Sequence, residues 1–91
     1  MADRKIELKI ISPGQVIDKR VPKKADMVIM RCLTGDLGVL PGRMPCSMAL
    51  GTGLLRILNE GDEKKLNISG GIASVSNDVV TVLTETAEWV D

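Results

Sequence analysis

Lys65-Leu66-Asn67-Ile68-Ser69-Gly70-Gly71-Ile72-Ala73-Ser74-Val75-Ser76-Asn77-Asp78-Val79-Val80-Thr81-Val82-Leu83-Thr84 is the stretch on which the fold turns. Lys65 to Ser69 alternates polar and apolar, the two-residue period of a half-buried strand. It runs into Gly70-Gly71, where the chain can change direction. Ile72 to Val75 and Val79 to Thr84 are β-branched runs joined by Ser76-Asn77-Asp78. Asn and Asp tolerate the left-handed backbone of a tight hairpin. Three strands in succession are predicted, with no helical stripe.

The same signals extend outward. Lys5-Ile6-Glu7-Leu8-Lys9-Ile10 alternates without error, placing Ile6, Leu8 and Ile10 on one face, and Ser12-Pro13-Gly14 ends it. Gln15 to Arg20 is a weaker, more polar extended segment, and Pro22 with its neighbouring lysines marks an edge. Met27-Val28-Ile29-Met30 is apolar on both faces and predicts a strand covered on both sides. Thr34 to Gly42 holds three glycines and a proline, interleaved with Leu37, Val39 and Leu40. That composition predicts a long ordered turn rather than a flexible linker, because the interleaved apolar residues anchor it. Ser47 to Leu50 and Leu54 to Leu58 are further strands, the latter closed by the hairpin Asn59-Glu60-Gly61-Asp62. Nine valines and eight isoleucines favour strands over helices. Turn signals every ~8–12 residues are those of a β-sandwich or barrel. At 91 residues, positions 1–91 make a single domain.

Composition narrows function. Twelve basic and twelve acidic residues cancel, leaving no electrostatic footprint for nucleic acid. There is no histidine, the commonest general base and metal ligand. Without Tyr or Phe, and with Trp89 alone, no aromatic platform for bases or sugars can be built. The N-terminus lacks the apolar segment of a secretory signal. No apolar run approaches the ~18 residues of a membrane span. A cytoplasmic chain with reduced thiols is expected.

Individual groups are weighed the same way. The glycine turns lack a Gly-Lys-Ser/Thr or a following helix, so they are turn chemistry rather than phosphate cradles. Glu60, Asp62 and Glu63 share a hairpin with Lys64 and Lys65, a solvated charged tip. Cys32 and Cys46 flank the long turn and are expected as a buried pair of free thiols. Trp89 is expected to cover an open end of the sandwich or continue toward a partner. Met27, Met30, Met44 and Met48 bracket the central turn. Core filling is their default role, and a docking surface is the alternative. No catalytic residue, metal site or cofactor is expected.

Four segments carry a resemblance. Gly35-Asp36-Leu37-Gly38-Val39-Leu40-Pro41-Gly42-Arg43-Met44-Pro45 resembles the Gly-acid-hydrophobe-Gly-Ile/Val-x-Pro-x-His-x-Pro segment of the epsilon subunit of F-type ATP synthases. Leu50 to Ile57 is similar to the stretch in which a glycine turn leads into hydrophobe-Arg-Ile. Ile68 to Val75 and Asn77 to Thr86 resemble the Ser-Gly-Gly and Val-Thr-Val-Leu runs. Order and coverage extend over essentially the whole chain.

The resemblance implies an all-β, flattened sandwich of about ten mostly antiparallel strands. It implies a non-catalytic central-stalk subunit that links gamma to the c-ring and helps couple ion transport to ATP synthesis. Its place would be peripheral, at the cytoplasmic face of the cell membrane, as part of the complex. Ser12, Asp36, Leu37, Val39, Pro41, Arg43 and Met44 are the partner-binding residues it implies, with Leu37, Val39 and Met44 either fixing the turn or burying against the partner. Arg43 stands where many members have His, and Val16 to Asp26 is longer and more basic than usual. The family's C-terminal helical hairpin lies outside this chain, so its inhibitory and ATP-binding roles are not carried over. The competing reading is a small β-sandwich ligand-binding or adaptor module. It would need exposed aromatics, or a Met-Lys-Met hairpin tip that Glu63-Lys64-Lys65 does not supply.

Overall fold

The structure is a computed structural model that describes residues 5–13, 24–42 and 44–90. The expected edge at Gln15 to Arg20, the Pro22 segment and Arg43 lie outside the described residues. Ten strands run in chain order: β1 (Ile6–Ile11), β2 (Lys24–Ala25), β3 (Met27–Cys32), β4 (Gly35–Val39), β5 (Cys46–Leu50), β6 (Gly53–Asn59), β7 (Asp62–Ile68), β8 (Gly71–Ser76), β9 (Val79–Leu83) and β10 (Ala87–Val90). Every pairing among them is antiparallel except β1 with β9. The all-β sandwich expected from the sequence is what forms.

The sheet is a single path, β10-β7-β6-β3-β5-β8-β9-β1-β2, with β4 on the free side of β3. It curls into two halves because long hairpins bend. β5 and β6 run on from one another along β3, which pairs with β6 at Val28↔Ile57 and with β5 at Cys32↔Leu50. β7 and β8 follow them, pairing at Gly53↔Ile68 and resuming at Leu50↔Gly71. Between those registers the chain turns a corner at Gly51-Thr52 and Ser69-Gly70. β9 and β10 bend likewise at Thr84 to Thr86, where Ser69 and Thr86 exchange backbone and side-chain hydrogen bonds. Gly71 sits in the crease with φ +130°, and a Cβ there would lie 1.9 Å from the Leu83 carbonyl oxygen. Only glycine lets the two strands approach so closely.

The bend brings the apolar faces together. One half contributes Ile6, Leu8, Leu50, Ala73, Val75, Val80 and Val82; the other contributes Val28, Met30, Val39, Leu55, Ile57, Leu66, Ile68 and Ala87. The molecule is flattened, 37 × 26 × 20 Å. Opposite the corner a polar clasp joins the halves. The Lys5 ammonium lies 3.2 Å from the Asp26 carboxylate and 3.1 Å from that of Glu60. Asp26 in turn accepts the Glu60 backbone N–H at 2.8 Å.

Two expectations are corrected, and one strand not singled out in the sequence is added. The stretch expected as a long turn contains β4, whose five residues pair with β3 from Cys32↔Gly35 to Val28↔Val39. Its glycines are accommodated because β4 is an edge strand with β3 as its partner. The chain's last segment is also a strand: β10 pairs with β7, and Trp89 lies opposite Leu66, half-buried against the core. Cys32 and Cys46 are both free thiols but not a buried pair. Cys32 is buried opposite Leu50, whereas Cys46 is half-exposed at the far end of β5, about 13 Å along the strand.

Candidate functional site

The outward face of β5, β8, β9 and β1 is divided by register into rows. At the corner end Ala49 lies opposite Ile72, Ile72 opposite Leu83, and Leu83 opposite Ile11. The row continues across the sheet to Leu33 in the β3–β4 turn, whose N–H donates to the Ala49 carbonyl at 3.2 Å. All five side chains are aliphatic and exposed: Leu33 72%, Ile72 53%, Ile11 48% and Leu83 46%, with Ala49 among them. Five strands at their usual spacing make this row about 19 Å long. Two residues along the same strands stand Ser47, Ser74, Thr81 and Lys9, again in register. An apolar row is thus bordered by a polar one. That pattern distinguishes a contact surface from scattered surface hydrophobics.

At the row's β1 end an open cleft of about 300 Å³ is lined by Pro13, Gly70, Gly71, Ile72 and Leu83, with Glu85 at its rim. Ser12 shapes this end from within. It is only 7% exposed, and its hydroxyl donates to the Glu85 carbonyl at 2.7 Å.

The residues expected to bind partners do not converge on one spot. Ser12 and Asp36 lie toward the corner end; Asp36 is outward-facing and its carboxylate is 3.5 Å from the Arg31 guanidinium. Pro41 and Met44 lie beyond the other end of β4, where Leu40 is 53% and Met44 80% exposed. Leu37 is half-buried against the core. Val39 is fully buried, where it anchors β4 to the core. The methionines divide too, with Met30 buried, Met27 and Met48 half-buried, and Met44 exposed. The apolar row itself is absent from the sequence expectations. Its members are scattered along the chain, and only strand register reveals them.

The ionisable groups do not assemble a reaction centre around this face. Among the described residues no group of three or more His, Cys, Asp or Glu is placed to hold a metal ion. The perturbed groups are ion pairs elsewhere. Glu63 is held below the ordinary carboxylate value by the Arg56 side chain, which bonds it directly. Asp26 is lowered first by the Glu60 N–H and then by Lys5.

Fold and face define a small all-strand module with an exposed apolar row. Comparison with known proteins makes the class specific. Residues 5–90 match the family described as ATP synthase, Delta/Epsilon chain, beta-sandwich domain. The chain belongs to that family. It is 41% identical over 85 residues to the ATP synthase epsilon chain of Brevibacillus brevis, covering 92% of this chain and 62% of that protein. It is 37% identical over 90 residues to the ATP synthase epsilon chain of Bacillus subtilis, covering 94% of this chain and 65% of that one. Among solved structures, a chain in the cryo-EM structure of Euglena gracilis mitochondrial ATP synthase, OSCP/F1/c-ring in rotational state 1, superposes with a TM-score of 0.84 at 28% identity. That match covers 96% of this chain and 56% of the other. The chain therefore spans about three-fifths of the length of the curated relatives it matches.

Proposed function

We propose that this chain is a non-catalytic element of the central stalk of an F-type ATP synthase, held between gamma and the c-ring and helping couple ion transport to ATP synthesis. It would act at the cytoplasmic face of the cell membrane, reaching the bilayer only through the complex. The observation that carries the reading is the exposed aliphatic row. A face of this kind gains free energy when a partner covers it. Burying the exposed remainder of Ile11, Ile72 and Leu83 contributes about 1 kcal/mol each. Family membership supplies the partners, and stiffness supplies the logic: a close-packed two-layer core resists the strain of transmitted torque.

The test is retention on an assembled gamma–c-ring complex. The parental chain should be retained. Leu83→Glu and Ile72→Glu should each reduce retention at least about tenfold, because an unpaired carboxylate would be buried at the contact. Both positions face outward, so stability should change by less than about 1 kcal/mol. A folded parental chain that does not associate would overturn the proposal.

A further inference from the structure

Two of the hairpins, β6–β7 and β8–β9, turn through two left-handed residues each, and they treat that requirement differently. At β6–β7 the pair is Glu60 (φ +50°) and Gly61 (φ +85°), with glycine at the second position as such turns prefer. At β8–β9 the pair is Asn77 (φ +51°) and Asp78 (φ +61°). Asp78 takes a conformation that glycine would adopt with less strain. Aspartate is among the few side chains that tolerate this backbone, and unlike glycine it can also make a tertiary contact. Its carboxylate supplies one, accepting the Gly42 backbone N–H at 2.7 Å. The Asp78 backbone also accepts the Glu7 N–H at 2.7 Å, which seats the turn against the start of β1.

Gly42 belongs to the loop between β4 and β5. Pro41 and Gly42 form a turn there, with Gly42 at φ +88° and its N–H available as a donor. Asp78 takes up that donor. On either side of it stand Leu40 and Met44, the loop's exposed apolar side chains.

We propose that Asp78 is a positioning residue that latches the Pro41-Gly42 turn to the β8–β9 hairpin, so that Leu40 and Met44 are presented to the gamma–c-ring assembly in one fixed arrangement. The role rests on the docking function proposed above. Without the latch the loop must be ordered during binding, and that ordering costs affinity.

Three substitutions separate the latch from the turn. Asp78→Gly suits the left-handed position and should leave the thermal midpoint unchanged or raised, yet it removes the acceptor. It should speed amide exchange at Gly42 and weaken binding to the gamma–c-ring assembly about three- to tenfold. Asp78→Ala should do the same with an added loss of stability. Asp78→Asn keeps a side-chain carbonyl acceptor and should restore most of the affinity and most of the Gly42 protection. If the parental chain binds and Asp78→Gly binds equally well, the latch is overturned while the docking function stands. If the parental chain itself does not bind, the docking function fails and the positioning role falls with it.

Discussion

At Gly71 the backbone of β8 passes so near the Leu83 carbonyl that one methyl group cannot be inserted. Its φ of +130° adds a second objection, since side chains rarely adopt it. Gly71→Ala should therefore lower unfolding free energy by about 2–4 kcal/mol, read from urea midpoints followed by Trp89 fluorescence. A loss below about 1 kcal/mol would mean that β8 and β9 can separate at the crease. Sequence reading marked Gly70-Gly71 as a change of direction, which is correct. It could not show that Gly71 is required by contact with a residue twelve positions later. Val39 is a related case: the sequence has it anchoring an ordered turn, and only its pairing opposite Val28 shows that it does so from inside the core.

Strands were legible wherever hydrophobic period and turn chemistry agree. β1, the β6–β7 hairpin and the β8–β9 hairpin all follow from alternation and their Asn, Asp and Gly punctuation. β4 was not legible, because Gly35 and Gly38 depress strand propensity and the pairing to β3 that overrides it is a tertiary fact. β10 was missed because four residues containing Glu88 and Trp89 carry too short a pattern to count. The apolar row was invisible for a further reason: period-two reading assigns each strand a face but says nothing about which positions of distant strands share a row. The propensity penalty in β4 leads to a prediction. Gly38 faces outward opposite Ile29, its backbone is not left-handed, and a Cβ would meet the Met27 side chain at an ordinary 3.7 Å. Gly38→Ala should raise stability by about 0.5–1 kcal/mol in the same denaturation experiment, by restricting the unfolded chain. A loss would show that the edge depends on the missing side chain.

Over the whole molecule, the corner glycines hold one side of the sandwich together and the Lys5–Asp26–Glu60 clasp holds the other. The clasp makes closure sensitive to acid. Asp26 lies below its ordinary value of 3.8, through the Glu60 N–H first and Lys5 second, so its contribution is present above 3.8 and is lost as pH falls through the lowered value. Glu63, lowered from 4.5 by Arg56, adds in the same direction. Lys5 is raised above 10.5, chiefly by Glu60, so its contribution is complete below 10.5 and is lost only when pH climbs past the raised value. Electrostatic stability should thus be flat between about 4.5 and 10.5 and decline on the acid side. Asp26→Asn keeps an oxygen to accept the Glu60 N–H but has no charge to lose. Its urea midpoint should fall less than that of the parent between pH 6 and about pH 3, and added salt should narrow the difference, because the pair is partly exposed. Equal declines would place the acid sensitivity elsewhere.

The parallel union of β1 with β9 has a consequence for biosynthesis. Glu7 to Ile11 find their neighbours at Val79 to Leu83, so β1 waits through the synthesis of all the strands between before β9 is made. Until then Ile6 and Leu8 have no greasy surroundings to enter, and the nascent polypeptide trails a ribbon suited to wrong pairings. At about 5–20 residues per second that interval lasts several seconds. Closure of this sandwich accordingly waits for the synthesis of β9, and whatever guards the nascent segment must attend to β1 until then.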